Sequence, residues 1–251
     1  MRVIIKVKKR AWFSVGLLSL LPFFQHFRHD SPHQLAAIKE LEESIDPKLL
    51  ETDADWFESW KASGYDQEIF MPYFTQHDNV TGTGYRECFS SAAAMVAAFY
   101  KKVKTDDEYN QVRAKFGDTT SVHAQIETLE SLGLNVQFRD DGDADLVELE
   151  LEAGRPVMIG WYHHGDLSLG HPPMCGGMGC GHWSVINGYY GKNSADPGWI
   201  MQDPRGEPDM IKGGHKNPHL GRNVRVSQRE LKPRWEAEGM GTGWVILVDN
   251  E

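Results

Sequence analysis

Residues Phe89-Ser-Ser-Ala-Ala-Ala-Met-Val-Ala-Ala-Phe-Tyr100 form an apolar, alanine-rich run that reads as a buried helix, since a helix apolar on all sides needs cover on all sides. Cys88 stands immediately before it. A thiol at a helix N-terminus faces the positive end of the helix dipole. That field favours the thiolate, which is the nucleophilic form.

The rest of the chain arranges itself around this segment. Ser31-Pro32 reads as a helix start, with serine as N-cap and proline at the first helical position. Leu35, Ile38, Leu41 and Ile45 follow at helical spacing, and a second short pattern over 48–61 contains Trp56 and Trp60. Gly64 is a boundary. The expected organisation is therefore a basic and apolar segment over 1–30, a helical lead-in over 31–64 and a single domain over 65–251. Within that domain, 68–74 reads as a strand and 75–87 as a polar loop. Helices are expected over 122–132, ended by Gly133, and over 145–153, ended by Gly154. Residues 134–138 alternate like a strand, and 156–161 read as a buried one. From there the chain looks mainly β, with strands at 182–190, 198–202, 210–212, 223–227 and 243–248. Helices first and an antiparallel sheet after them make an α+β fold.

Composition removes some classes. The formal net charge of the 251 residues is −10, whereas a nucleic-acid binder normally shows a basic face. Three cysteines are too few for a disulfide scaffold. Cys175 and Cys180 are close enough in sequence to pair with each other, leaving Cys88 free. Residues 1–10 carry five basic side chains and no acidic one, and 11–24 are largely apolar. That apolar stretch is shorter than the roughly 20 residues a membrane span needs. Its length suits an export signal, but no small-x-small cleavage site follows, and a segment docked on the domain fits equally. Contact with a membrane is expected only if the segment is such a signal or an anchor.

Two downstream stretches complete a chemical set with Cys88. His182 lies in the strand-like 181–186, and Asp203 in 199–206. A cysteine hydrolase needs a thiolate, a base that takes and returns a proton, a group that holds the base, and donors for the oxyanion. Cys88 and His182 supply the first pair. Asp203 is placed to hold the far imidazole nitrogen, provided that the strands around 182–190 and 198–202 pair through the turn-rich 191–197. Gln76 and the Cys88 backbone N–H are the oxyanion donors. Each residue also has a plain structural role open to it: a small buried hydrophobe, a histidine near a surface, a turn, a loop residue. The set as a whole, in this order, carries the reading. A competing set is His163, His164, His171, Cys175 and Cys180 together with His182, which could bind zinc. Its Cys-x4-Cys-x-His spacing matches zinc patterns weakly and ranks below a glycine-rich loop at the mouth of the site.

Four stretches, Pro72 to Asn79, Glu87 to Met95, Gly181 to Tyr189 and Gln202 to Gly206, resemble the C39-like cysteine peptidases, a branch of the papain-like superfamily. The resemblance spans about 67–248. It implies a papain-like cysteine peptidase fold with N-terminal helices packed on an antiparallel sheet. It implies catalytic Cys88, His182 and Asp203, Gln76 at the oxyanion hole, and no metal or cofactor. Pro233 to Gly239, Gly241 to Trp244, Ala37 to Ile45 and Ala54 to Trp56 look like a subgroup encoded by tailed bacteriophages, which implies an endolysin-like enzyme acting on a peptide or peptidoglycan substrate. Export or release to the cell wall, or a phage-encoded role in the host cytoplasm, would both fit such a chain. The chain departs from the pattern at Phe89, where the family usually has glycine, and at the loop containing Cys175 and Cys180. A non-catalytic phage structural or wall-binding module, or a zinc-dependent amidase using the His/Cys loop, are the alternatives.

Overall fold

In chain order, the elements of the computed structural model are β1 (Tyr65–Glu68), α1 (Cys88–Phe99), α2 (Asp106–Arg113), α3 (Val122–Ser131), β2 (Asn135–Gly142), α4 (Ala144–Glu152), β3 (Val157–Tyr162), β4 (Gly181–Tyr190), β5 (Gly198–Gln202), β6 (Glu207–Pro208), β7 (His215–Asn217), β8 (Val224–Ser227), α5 (Gln228–Trp235) and β9 (Gly243–Asp249). The structure describes residues 65–170 and 181–250. The expectations for the N-terminal segment, the helical lead-in with Trp56 and Trp60, and the loop with His171, Cys175 and Cys180 fall outside these residues. From Asp66 onward the described residues belong to one compact unit.

The seven-stranded sheet has the order β2-β9-β3-β4-β5-β8, with β1 joining β4. The pairs β2–β9, β9–β3, β3–β4, β4–β5 and β5–β8 are antiparallel. Successive strand residues point to opposite faces, and the core divides accordingly. Met158, Val185 and Ile246 pack with α1 and with Leu129 of α3. Their neighbours Ile159, Ile186 and Val245 pack with Val147 and Leu151 of α4 and with Leu231 and Trp235 of α5. Helices therefore cover both faces, and the α+β class is as the sequence implied.

The helix starts are written locally. Ser121 and Asp143 are N-caps whose side chains accept from the amides of Ala124 and Leu146, and Gly133 and Gly154 end the helices at φ +77° and +78°. In α1, Phe89 through Ala97 are all buried, so the alanine run is the central helix. No helix of the described residues is long and apolar enough to cross a membrane.

Several elements differ from the sequence reading. The strand expected over 68–74 stops at Glu68, and Pro72 further on has no amide to give a ladder. The chain still holds to β4 through Ile69 N–H to the Asn187 carbonyl and Asn187 Nδ2 to the Ile69 carbonyl. Residues 210–212 form a turn in place of a strand. The Asp209 carboxylate accepts from the amides of Ile211 and Lys212, and Gly213 and Gly214 take φ of +80° and +77°. This turn joins β6 to β7 in a small separate sheet. Helices α2 and α5 were not anticipated.

Candidate active site

Cys88 is the first residue of α1. The residue before it, Glu87, makes no side-chain cap. Its buried carboxylate instead accepts from Asn79 Nδ2 at 2.6 Å and Thr83 Oγ1 at 2.6 Å, which ties the preceding loop to the helix start and leaves the first-turn amides uncapped by it. The next residue, Phe89, lies flat against Trp183, ring centroids 4.0 Å apart and planes 6° from parallel. Phe89 and Trp183 are the immediate neighbours of Cys88 and His182. The stack thus fixes the helix that begins at Cys88 against the strand that carries His182.

The antiparallel register sets the other side. Val185 pairs with Gln202, so Asp203 comes next in line beside Ser184, and His182 lies two residues along the same strand, on the same face as Ser184. The His182 Nε2–Asp203 Oδ1 distance is 2.8 Å, and Ser184 Oγ donates to Asp203 Oδ2 at 3.2 Å. The Arg205 amide donates to Oδ1 at 2.8 Å, and His215 Nε2 lies 3.3 Å from Oδ2. Trp161 Nε1 donates to Ser184 Oγ, and its ring meets the His182 ring edge-on at 5.2 Å. Both His182 and Asp203 are buried. Gly221 has to be glycine, since a Cβ there would fall 2.0 Å from the Asp203 carbonyl oxygen.

With Nε2 engaged by Asp203, Nδ1 is the nitrogen left for the thiol, and the His182 and Cys88 side chains are hydrogen-bonded. Burial pushes the Cys88 thiol up, but the His182 charge, its hydrogen bond and the Trp183 amide outweigh burial and the opposing Asp203 charge, so the thiol ionises below its ordinary range. Burial pulls His182 down, yet Asp203 and Cys88 raise it to about 10. Asp203 is raised by burial and lowered further by His182 and His215, ending well below the usual carboxylate range. The favoured state is a thiolate–imidazolium pair backed by a carboxylate.

Gln76 is buried and bound to both halves of this arrangement. Its amide N–H donates to the Pro204 carbonyl at 2.8 Å, and Nε2 donates to the Gly84 carbonyl at 2.7 Å. Its Oε1 has no hydrogen-bond partner among the described residues.

The structure thus brings Cys88, His182 and Asp203 together and holds Gln76 between the Asp203 turn and the loop that leads to Cys88. His215, Ser184 and Trp161 were missed. His215 follows two glycines in a segment with no periodic signal, and only the β6–β7 turn carries it to Asp203. His182, Asp203 and His215 also present ligand atoms within 4.8 Å of one another, a spacing that could hold a metal ion. This set shares only His182 with the zinc ligands considered from the sequence. Within it, the Nε2 atoms of both histidines face the two Asp203 oxygens.

A helix-borne thiol facing a sheet-borne imidazole, in a fold of mixed helices and antiparallel strands, defines a papain-like cysteine peptidase. The sequence profile of the family described as papain-like cysteine protease AvrRpt2 matches residues 71–213, more than half of the chain, and the chain belongs to that family. Several solved structures resemble it, among them these three. A double glycine motif protease from an AMS/PCAT transporter, in complex with the leader peptide, is 20% identical over 73% of this chain and 94% of its own, with a TM-score of 0.42. The peptidase domain of Streptococcus ComA, a bi-functional ABC transporter involved in a quorum sensing pathway, is 18% identical over 66% and 93%, with a TM-score of 0.41. A protein described as a C39-like peptidase from Bacillus anthracis is 13% identical over 73% and 98%, with a TM-score of 0.48. No curated protein matches the sequence.

Proposed function

We propose that this cysteine peptidase works through a Cys88-His182-Asp203 triad and cuts an amide bond in the peptide part of peptidoglycan, as a phage-type, endolysin-like enzyme of the C39-like kind. The observation that carries the triad is the His182 imidazole held between the Cys88 thiol and an Asp203 oxygen at 2.8 Å. The Cys88 thiolate attacks the scissile carbonyl carbon and forms a C–S bond. The carbonyl oxygen takes the negative charge and is met by the Cys88 amide and the Gln76 side-chain amide. His182 passes its proton to the leaving nitrogen as the C–N bond breaks. Water, giving a proton to His182, then attacks the thioester, releases the carboxylic acid and regenerates the pair. Asp203 keeps the imidazole in the tautomer and plane that both steps need. No metal or cofactor enters these steps.

The substrate half of the proposal rests on the stretch over 233–244, whose sequence resembles the phage-encoded subgroup. It lies beside the site. Trp235, Glu238 and Trp244 from this stretch line a shallow recess together with Trp161, His182 and Trp183. Aromatic walls of this kind suit sugar rings and short peptide side chains. The test is mass spectrometry of purified peptidoglycan digested by the wild type and by Cys88→Ala. The wild type is expected to release fragments with new amine and carboxylate ends, and Cys88→Ala none while folding normally. Identical fragments from both would overturn the triad. An active enzyme on peptides with intact peptidoglycan would overturn the substrate.

A further inference from the structure

His215 makes a single side-chain hydrogen bond among the described residues, to the Asp203 oxygen that His182 does not use. It is carried there by a rigid support. Gly214 N–H donates to the His163 carbonyl at 2.6 Å. Behind the turn, the wholly buried Arg234 guanidinium donates to the carbonyls of Met210 and Ile211 on one side and of Tyr162, His164 and Gly165 on the other. The His215 side chain is only 6% exposed. Its ring lies 4.8 Å from that of His182, 5.6 Å from His163 and 6.3 Å from Trp161.

The protonation state follows from the partners. His215 Nδ1 is buried with no hydrogen-bond partner among the described residues. An imidazolium would place a second N–H there with nothing to accept it, which is costly. The neutral form with its proton on Nε2 satisfies Asp203 and leaves Nδ1 a bare lone pair. The groups facing the ring favour this: burial, His182 and Arg205 hold its titration below the usual histidine range against the pull of Asp203. The His163 ring also stands over it.

We propose that His215 is a positioning residue, a neutral imidazole that donates to Asp203 Oδ2 and locks the carboxylate in the plane in which Oδ1 meets His182. This rests on the triad reading. Without His215, Oδ2 keeps only the Ser184 hydroxyl, the carboxylate can swing, and its hold on the His182 imidazolium weakens. The thiolate of Cys88 then loses part of its counter-charge.

The test needs no natural substrate. Site-resolved alkylation of Cys88 by iodoacetamide, followed by mass spectrometry across a pH series, reads the midpoint of thiolate formation in the folded full-length chain. His215→Phe fills the ring's space without a donor, and His215→Gln returns an amide donor near the Nε2 position. The Phe variant is expected to move the midpoint up by about one pH unit, and the Gln variant to stay near the wild type. His215→Phe titrating like the wild type would reduce His215 to packing and overturn the proposal, as would Phe and Gln variants shifted alike. Stoichiometric zinc in the purified wild type that is absent from both variants would overturn it in favour of a ligand role. A wild-type Cys88 that titrates like an ordinary thiol would instead sink the triad reading itself, so the two failures are distinguishable.

Discussion

Asp203 shows how much one side chain depends on its donors. Its carboxylate is fully buried, a state that costs several kcal/mol unless the charge is met. Here four donors meet it: His182, the Arg205 amide, Ser184 and His215. Asp203→Asn keeps an oxygen for the His182 Nε2–H but turns its NH2 toward the two donors at Oδ2. The imidazole is still held, less firmly, and in the proposed mechanism remains the base. His182→Ala removes the base altogether. Steady-state kinetics on the proposed peptidoglycan substrate are therefore expected to show kcat/KM reduced by about 10³-fold in His182→Ala and by about 10²-fold in Asp203→Asn. A fully active Asp203→Asn enzyme would remove the orienting role.

Among the elements, α1 and β4 matter most, and they meet at Phe89 and Trp183. Glycine is usual after the nucleophile in the C39-like pattern, so Phe89 looked like a departure. In the structure it is buried and stacked on Trp183, and the two rings are the chain neighbours of Cys88 and His182. Phe89→Ala is expected to cost about 3–5 kcal/mol of stability and to lower kcat/KM more than that loss of folded protein explains, because α1 is freed to slide on β4. Urea unfolding and kinetics on the same samples separate the two effects. Equal kcat/KM per folded molecule would confine Phe89 to stability. Other elements were legible to different degrees. Helices α3 and α4 carry their caps and stop glycines in the chain, which is local information. Helix α2 also has a cap, with the Thr105 side chain accepting from the Glu108 amide. Its apolar face is thin, however, with Tyr109 buried beside Asp106, Asn110 and Arg113, so periodicity did not mark it. The 210–212 segment looked like a strand because Met210 and Ile211 are apolar, but the Asp209 side chain captures their amides before a ladder can.

For the molecule as a whole, the ion pair makes stability respond to pH in a specific way. His182 is raised from 6.5 to about 10 in the folded state, so alone it contributes stability that is complete below pH 6.5 and is lost as pH rises through its folded value. Cys88 is lowered from 9.0, so alone it contributes stability that is complete above pH 9.0 and is lost as pH falls through its folded value. Between the lowered Cys88 value (or 6.5, if that value lies below it) and pH 9.0 the folded pair holds one proton, on His182. The unfolded chain also holds one, on Cys88. The contributions cancel, and the pair gives a flat stability profile across that window. Cys88→Ala removes the sulfur's contribution and the part of the His182 rise that comes from Cys88, but leaves the part held by Asp203, so its unfolding free energy is expected to fall with rising pH over the same window relative to the wild type. Urea midpoints at several pH values check this, and parallel wild-type and Cys88→Ala profiles would mean that Asp203 alone does not hold a proton on the imidazole.

Several features of this protein were open to reading along the chain. These are the buried helix behind Cys88, the caps and stop glycines of α3 and α4, the apolar strands β3, β4 and β5, and the α+β class. All of them depend on contacts within a few residues or on a repeating apolar pattern. The choice of His182 among eleven histidines rested on its strand and its order relative to Cys88 and Asp203, and stayed a hypothesis about distance. Only the folded sheet decides that distance, because the pairing of Val185 with Gln202 is what puts Asp203 beside Ser184 and within 2.8 Å of His182. His215 had no signal at all. It reaches Asp203 through a turn built from Asp209, two glycines in left-handed conformations and the carbonyls gathered by Arg234, and hydrogen bonds that close across space leave no period in a sequence.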